Sequence, residues 1–276
     1  MIVLSTPGRE GAQGELFTIK LDPGVTRVGR RDVPVVHDAD DGGQSPVSKL
    51  STANMRNELT TFWGFYNRYY TSSYGKQASD WLLGEFQSVS LRAATRASVK
   101  AFKRSSAQNS IISAIPERPS SEVVVVGAHL DFVNGRIRSG RSPGAITAGQ
   151  RANALEFHWY VGEEAGLLGS GDIFDSYRAS GAVVRVITAA GHGGCGYGCS
   201  GHASATPASY PSAFVIEAAM SRMSPYIHMD WDPVSTLNFP HMLEHAKLAV
   251  GYAYELTFAS ILGKGRARTG EGCGGG

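Results

Sequence analysis

The chain has 276 residues, 42% of them hydrophobic and 18% charged, the make-up of an ordinary globular protein with room for one large core or two small ones. A net charge of +2 supplies no basic stripe, so nucleic acid is not an expected partner. No run of about 18 apolar residues occurs, which excludes a transmembrane helix and a membrane partner from expectation, and the start, MIVLSTPGRE, has too short an apolar run for the core of a signal peptide.

In chain order, residues 1–45 are rich in Gly, Pro, Asp and Arg and carry one strand-like run, ELFTIKL, so they read as an appendage. From Ser51 the texture changes. A capping-type serine precedes Met55, Leu59, Phe62, Tyr66 and Tyr69 at helical spacing, which predicts an amphipathic helix. Residues 77–89, QASDWLLGEFQSV, predict a second helix. Strands are expected over 109–115 and 122–126, joined by the turn PERPSS, and again over 157–161. The run GLLGSGDIFDSY reads as a turn entering a helix, followed by a strand over 183–188 and a glycine-dense loop, AAGHGGCGYGCSG. A short strand over 214–216 and a long closing helix over 238–260 complete the alternation, which points to an α/β sheet. No repeat is apparent, and the tail GKGRARTGEGCGGG is low-complexity.

The four valines Val123–Val126 read as a strand buried on both faces. That strand ends in Gly127 and Ala128 and then presents His129 and Asp131, where open α/β sheets keep their sites. Glu163 and Glu164 close another strand; as neighbours they are expected to point opposite ways, one to ligate a metal and one to act as base. The Cys195/Cys199/His202 loop and His228 add further metal-type side chains. Zinc takes imidazole and carboxylate ligands, and catalytic sites keep a position open for water. Asp131 suits the role of accepting the imidazole N–H of His129 and so fixing its tautomer. The three cysteines are Cys195, Cys199 and Cys273, and a C-x3-C pair is compatible with a disulfide or with metal binding.

At these residues the sequence resembles the M28 zinc aminopeptidases, most closely the fungal secreted leucine aminopeptidases. The strings that carry the resemblance run in order from about Leu50 to Ser260. They include KLSTANMRNELTTF, FYNRYYTSSYGKQASDWLL, VVGAHLD, FHWYVGEEAGLLGS, CGYGCSGHAS, YPSAFVIEAA, YIH and HMLEHAKLAVGYAYEL. The resemblance implies an α/β three-layer sandwich with a central mixed sheet of zinc exopeptidase type, here short of one or two elements. It implies a domain over 46–262, a pro-segment remnant and linker over 1–45, and a low-complexity tail over 263–276. It implies His129 and His228 as zinc ligands, Glu164 as a ligand of the zinc opposite that of His129, Glu163 as general base, and Asp131 as the partner of His129. Cys195 and Cys199 would form a disulfide beside the substrate pocket, His202 hydrogen-bonding in its loop. The implied enzyme is a secreted monomer with peptide substrates, two zincs and a preference for N-terminal Leu-like residues.

The departures from that pattern are specific. The resemblance calls for an Asp after Pro143-Gly144-Ala145, to bridge both metals, and this chain has Ile146. A third carboxylate is expected where Gly191 stands, with His192 as the nearest substitute, and whole blocks before Glu156 and between Gly191 and Cys195 are missing. Ligand count and geometry set zinc affinity, so one zinc or none is expected here. The alternative to an aminopeptidase is therefore a non-catalytic remnant that keeps the peptide cleft. His241-Met242-Leu243-Glu244-His245 satisfies H-x-x-E-H with its histidines on one helix face, but it lies in a string matched to the closing helix and reads as a coincidence. No G-x-S-x-G occurs to support serine chemistry.

Overall fold

The computed structural model describes residues 2–3, 46–92, 97–116, 122–137, 154–189, 200–216, 228–229 and 234–258. The run ELFTIKL, Ile146, the glycine-dense loop with Gly191, His192, Cys195 and Cys199, and the tail with Cys273 lie outside them. The strands are β1 (Ile2–Val3), β2 (Ser98–Phe102), β3 (Ser110–Ile115), β4 (Glu122–His129), β5 (Ala154–Tyr160), β6 (Val183–Ala189) and β7 (Ser212–Ile216). The helices are α1 (Thr52–Trp63), α2 (Ser73–Arg92), α3 (Leu168–Ser180) and α4 (Phe239–Phe258).

The strands form one sheet in the order β1-β7-β6-β4-β5-β3-β2. Pairing is parallel from β1 through β5 and antiparallel where β3 meets β5 and β2, so the sheet is mixed, as expected. Two-residue alternation then divides the core. Val124, Val126, Leu155, Phe157 and Trp159 join Phe62, Ala78, Leu82 and Ala253 on the face covered by α1, α2 and α4. Val125, Ile112 and Tyr160 join Ile173, Phe174, Ala205 and Ala208 on the opposite face, under α3. Helices on both faces make the three-layer sandwich, and the valine run is apolar throughout because both faces need it.

One expectation is revised, and two strands join the sheet that the sequence did not announce. The helix of the Met55/Leu59/Phe62 period stops at Gly64, whose N–H reaches back to Thr60 and Thr61, so Tyr66 and Tyr69 are not helical. A tertiary contact overrides the period: Arg68 makes an isolated antiparallel bridge to Phe132, and the Asn67 side chain accepts from the Tyr69 N–H and the Ser72 hydroxyl. Strand β2, SVKAF, was not legible, because it is an edge strand with only partial burial. Within residues 1–45, Ile2–Val3 pairs in parallel with Val215 and Ile216 of β7.

Candidate metal centre

Strand β4 lies between β5 and β6, and the chain passes from β5 over to β6 on its other side. Ligands favour the carboxyl ends of strands at such a crossover. His129 ends β4, and Glu163 and Glu164 follow the end of β5, which runs parallel beside it. One ligand-type atom from each of His129, Glu163 and Glu164 lies within 4.8 Å of the others.

The glutamates do not diverge as neighbours in a strand would. Strand β5 ends at Tyr160, and Gly162 takes a left-handed φ of 64° that starts a tight turn. In that turn the Gly166 and Leu167 N–H groups both donate to the Glu163 carbonyl. Glycine is needed at 162 because a Cβ there would be strained by that φ and would meet the Leu168 side chain at 3.0 Å. The turn brings both carboxylates to His129.

Asp131 is 1% exposed and builds this turn from the other side. Its Oδ1 accepts the Glu163 N–H at 3.0 Å and its Oδ2 the Glu164 N–H at 3.2 Å. The Nδ1 of His129 lies 2.9 Å from the Asp131 backbone carbonyl and 3.8 Å from its Oδ1. A carbonyl only accepts, so Nδ1 carries the proton, and in the neutral ring Nε2 holds the lone pair that a metal needs. The expected tautomer is thus set in this structure chiefly by the main chain of Asp131, while its carboxylate holds the turn that carries the two glutamates.

His228 approaches from a distant part of the sequence. Its Nδ1 lies 3.6 Å from Glu164 Oε1 and 3.1 Å from the Val133 carbonyl, which fixes the same tautomer as in His129. The Gly135 N–H donates to the His228 carbonyl at 2.7 Å, and the ring stacks on Phe132 with 5.1 Å between centroids. His228 holds a left-handed φ of 61°, rare for a residue with a Cβ and most often kept where function over-determines the backbone. The loop after β4 therefore orients His129, through the Asp131 carbonyl, and also clasps His228. That loop is itself pinned by buried Arg68, whose Nε donates to the Leu130 carbonyl at 3.1 Å and whose guanidinium lies 4.4 Å above the Phe62 ring. The supporting roles of Arg68, Phe132 and Val133 have no sequence signal of their own. His202 is not part of the cluster; its ring stacks on Phe214 and its carbonyl accepts the Ser212 hydroxyl.

Electrostatically the site is short of positive charge. Burial alone would lower the His129 pKa, but the carboxylates of Glu163, Asp131 and Glu164 together raise it to about 9. Burial raises Glu164 to about 8; His129 opposes that rise, and Glu163 and Asp131 reinforce it. Three carboxyl groups and one imidazole, gathered where water is scarce, are a costly arrangement without a cation among them. The oxygen and nitrogen donors match the preferences of zinc, and the residues fit a divalent metal.

No protein-family model matches the chain. It is 37% identical to leucine aminopeptidase 1 of Arthroderma gypseum over 287 aligned positions, covering 78% of this chain and 77% of the relative. The aligned stretch is longer than all 276 residues of this chain, so the relative has internal residues without a counterpart here. The LapA aminopeptidase of Legionella pneumophila superposes with a TM-score of 0.69 at 25% identity, covering 77% of this chain and 73% of that one. A glutaminyl cyclase of Fimbriiglobus ruber shares the fold alone, with a TM-score of 0.57 at 12% identity over 74% of this chain and 95% of that one. Identity at this level across more than three quarters of both chains, with the fold of an aminopeptidase beneath it, decides the lineage: the chain belongs to the leucine aminopeptidase family, hydrolases of peptide bonds.

Proposed function

We propose that the chain is a zinc-dependent aminopeptidase of the M28 type that releases N-terminal residues, Leu-like ones by preference, from extracellular peptides. One observation carries the reading: His129, Glu163 and Glu164 converge at the ends of adjacent parallel strands, with His228 beside Glu164. His129, Glu164 and His228 are the proposed zinc ligands, imidazole and carboxylate donors of the kind that catalytic zinc takes. Zinc held there would act as a Lewis acid on a peptide carbonyl and make water acidic near neutral pH.

The other roles belong to the chain's own atoms. Glu163 is the proposed general base; its carboxylate takes the proton of the attacking water and delivers it to the leaving amine nitrogen. Asp131 keeps Glu163 and Glu164 in register through their backbone N–H groups and orients His129 through its carbonyl. Phe132 and Val133 hold the His228 ring flat and turned. A disulfide between Cys195 and Cys199 and a pro-segment within 1–45 belong to the same proposal. One zinc, rather than two, is proposed for this centre, because Ile146 stands where a bridging carboxylate would be and the relative's extra internal residues are absent.

The test is zinc content by native mass spectrometry alongside hydrolysis of a leucine anilide, for the wild type and Glu164→Gln. We expect the substitution to remove one zinc per chain and, with it, turnover. A folded wild type that hydrolyses nothing and has the same zinc content as Glu164→Gln would sink the proposal and leave the non-catalytic remnant, the reading that Ile146 favours.

A further inference from the structure

We propose that His241 and His245 on α4 form a second zinc site, a two-imidazole chelate in which none of the strand-end residues takes part. Four residues apart, the two side chains share one face of the helix. Their Nε2 atoms lie 3.3 Å from each other, and the rings meet edge to face with 4.8 Å between centroids. For Zn–N bonds of about 2.0–2.1 Å, a 3.3 Å separation subtends about 105–110° at the metal, close to the tetrahedral angle that zinc adopts.

The hydrogen bond between the two nitrogens bears on the chemistry. One nitrogen must accept, so at least one ring is neutral and already offers a lone pair toward its neighbour. Zinc takes that lone pair and the one exposed when the donating ring gives up its Nε2 proton, to its own Nδ1 or to solvent. A small rotation of that ring about χ2 converts the hydrogen-bonded pair into a chelate, and water fills the remaining positions.

The helix beneath the pair is anchored before any metal arrives. Asn238 Oδ1 accepts the His241 N–H at 3.1 Å, the Asn238 carbonyl accepts the Met242 N–H at 2.9 Å, and Phe239 and Ala246 are buried. Arg56 of α1 lies over the Phe239 ring. The site is thus largely organised in advance, which lowers the entropy lost on binding. It is not an H-x-x-E-H hydrolase centre, since Glu244 is turned to Lys247 at 2.7 Å and adds no carboxylate to the pair. A zinc across this turn binds the folded helix, where the two imidazoles are held together, more tightly than the unfolded chain, so its role is to stabilise α4 on the sheet.

The experiment is zinc binding to the full chain by equilibrium dialysis and native mass spectrometry, with zinc alone as the probe. Wild type, His241→Asn, His245→Asn and Glu164→Gln are compared, each checked for fold by circular dichroism. Each histidine variant is expected to bind one zinc fewer than wild type, with a smaller zinc-induced rise in melting temperature. Glu164→Gln is expected to keep the helix zinc. Two folded histidine variants with the wild-type zinc count would overturn the site, whatever Glu164→Gln does. A zinc lost from the histidine variants but not from Glu164→Gln would uphold this site and overturn the strand-end one. Should a histidine variant not fold, imidazole NMR signals of the wild type replace it: both His241 and His245 must move on adding zinc, and unmoved signals overturn the proposal.

Discussion

At the scale of single residues, Glu163 and Glu164 have different surroundings despite being neighbours. Glu164 stands 3.6 Å from His228 Nδ1, whereas Glu163 Oε2 stands 3.9 Å from His129 Nδ1. The proposed division of labour makes Glu163→Gln a clean test, because the amide keeps the shape and loses the base. We expect kcat to fall by roughly 10²–10⁴-fold, the usual worth of a general base, with zinc content unchanged. Activity steady to within a factor of two would remove Glu163 from the mechanism. The residue types and spacings of His129, Asp131, Glu163 and Glu164 were legible in the sequence, since each sits at the end of a recognisable strand. What Asp131 does with its carboxylate was not legible. That depends on two N–H groups more than thirty residues away, and no local pattern encodes such a partner.

At the scale of elements, the turn after β5 and the contact between β5 and α3 matter most. Gly162→Ala puts a Cβ at a left-handed φ and 3.0 Å from Leu168 Cδ1. The backbone penalty is about 1–2 kcal/mol. If the turn shifts both glutamates by an ångström, activity should fall by about 10²-fold, beyond what the stability loss explains. A variant that loses stability and activity in step would argue against the turn as the positioning device. On the other face of β5, buried His158 bonds Glu156 at 2.8 Å, and the Tyr177 hydroxyl of α3 donates to the same carboxylate. Burial pushes the Glu156 pKa up, but the hydrogen bond and charge of His158, the Tyr177 hydroxyl and Lys100 outweigh it, so the folded value lies below the ordinary 4.5. The unfolded chain therefore takes up this proton first. Stability from ionised Glu156 is complete above about pH 4.5 and is lost as pH falls through the folded value. In urea titrations, Glu156→Gln should be less stable than wild type at pH 7, with the gap narrowing as the pH falls below about 4.5. A gap constant with pH would assign the loss to packing alone.

For the whole molecule, the sequence by itself determined the alternation of strands and helices, the doubly buried β4 and the identity of the strand-end residues. These follow from periodicity, capping and glycine placement, which are properties of residues within a few positions of one another. Even so, the helix predicted through Tyr69 stops at Gly64, because Arg68 is claimed by Phe132 from across the fold. Only the tertiary structure decided the strand order, the addition of Ile2–Val3 and β2 at the two edges, and the turn that aims both glutamates at His129. It alone brought His228 to Glu164 under a clasp from Phe132, Val133 and Gly135, and it turned a helical H-x-x-E-H string into two imidazole nitrogens set at a chelating distance. The physical reason is the same in each case. Local sequence sets which conformations a segment favours, whereas a site made from segments tens of residues apart exists only once burial of both sheet faces has fixed their relative positions.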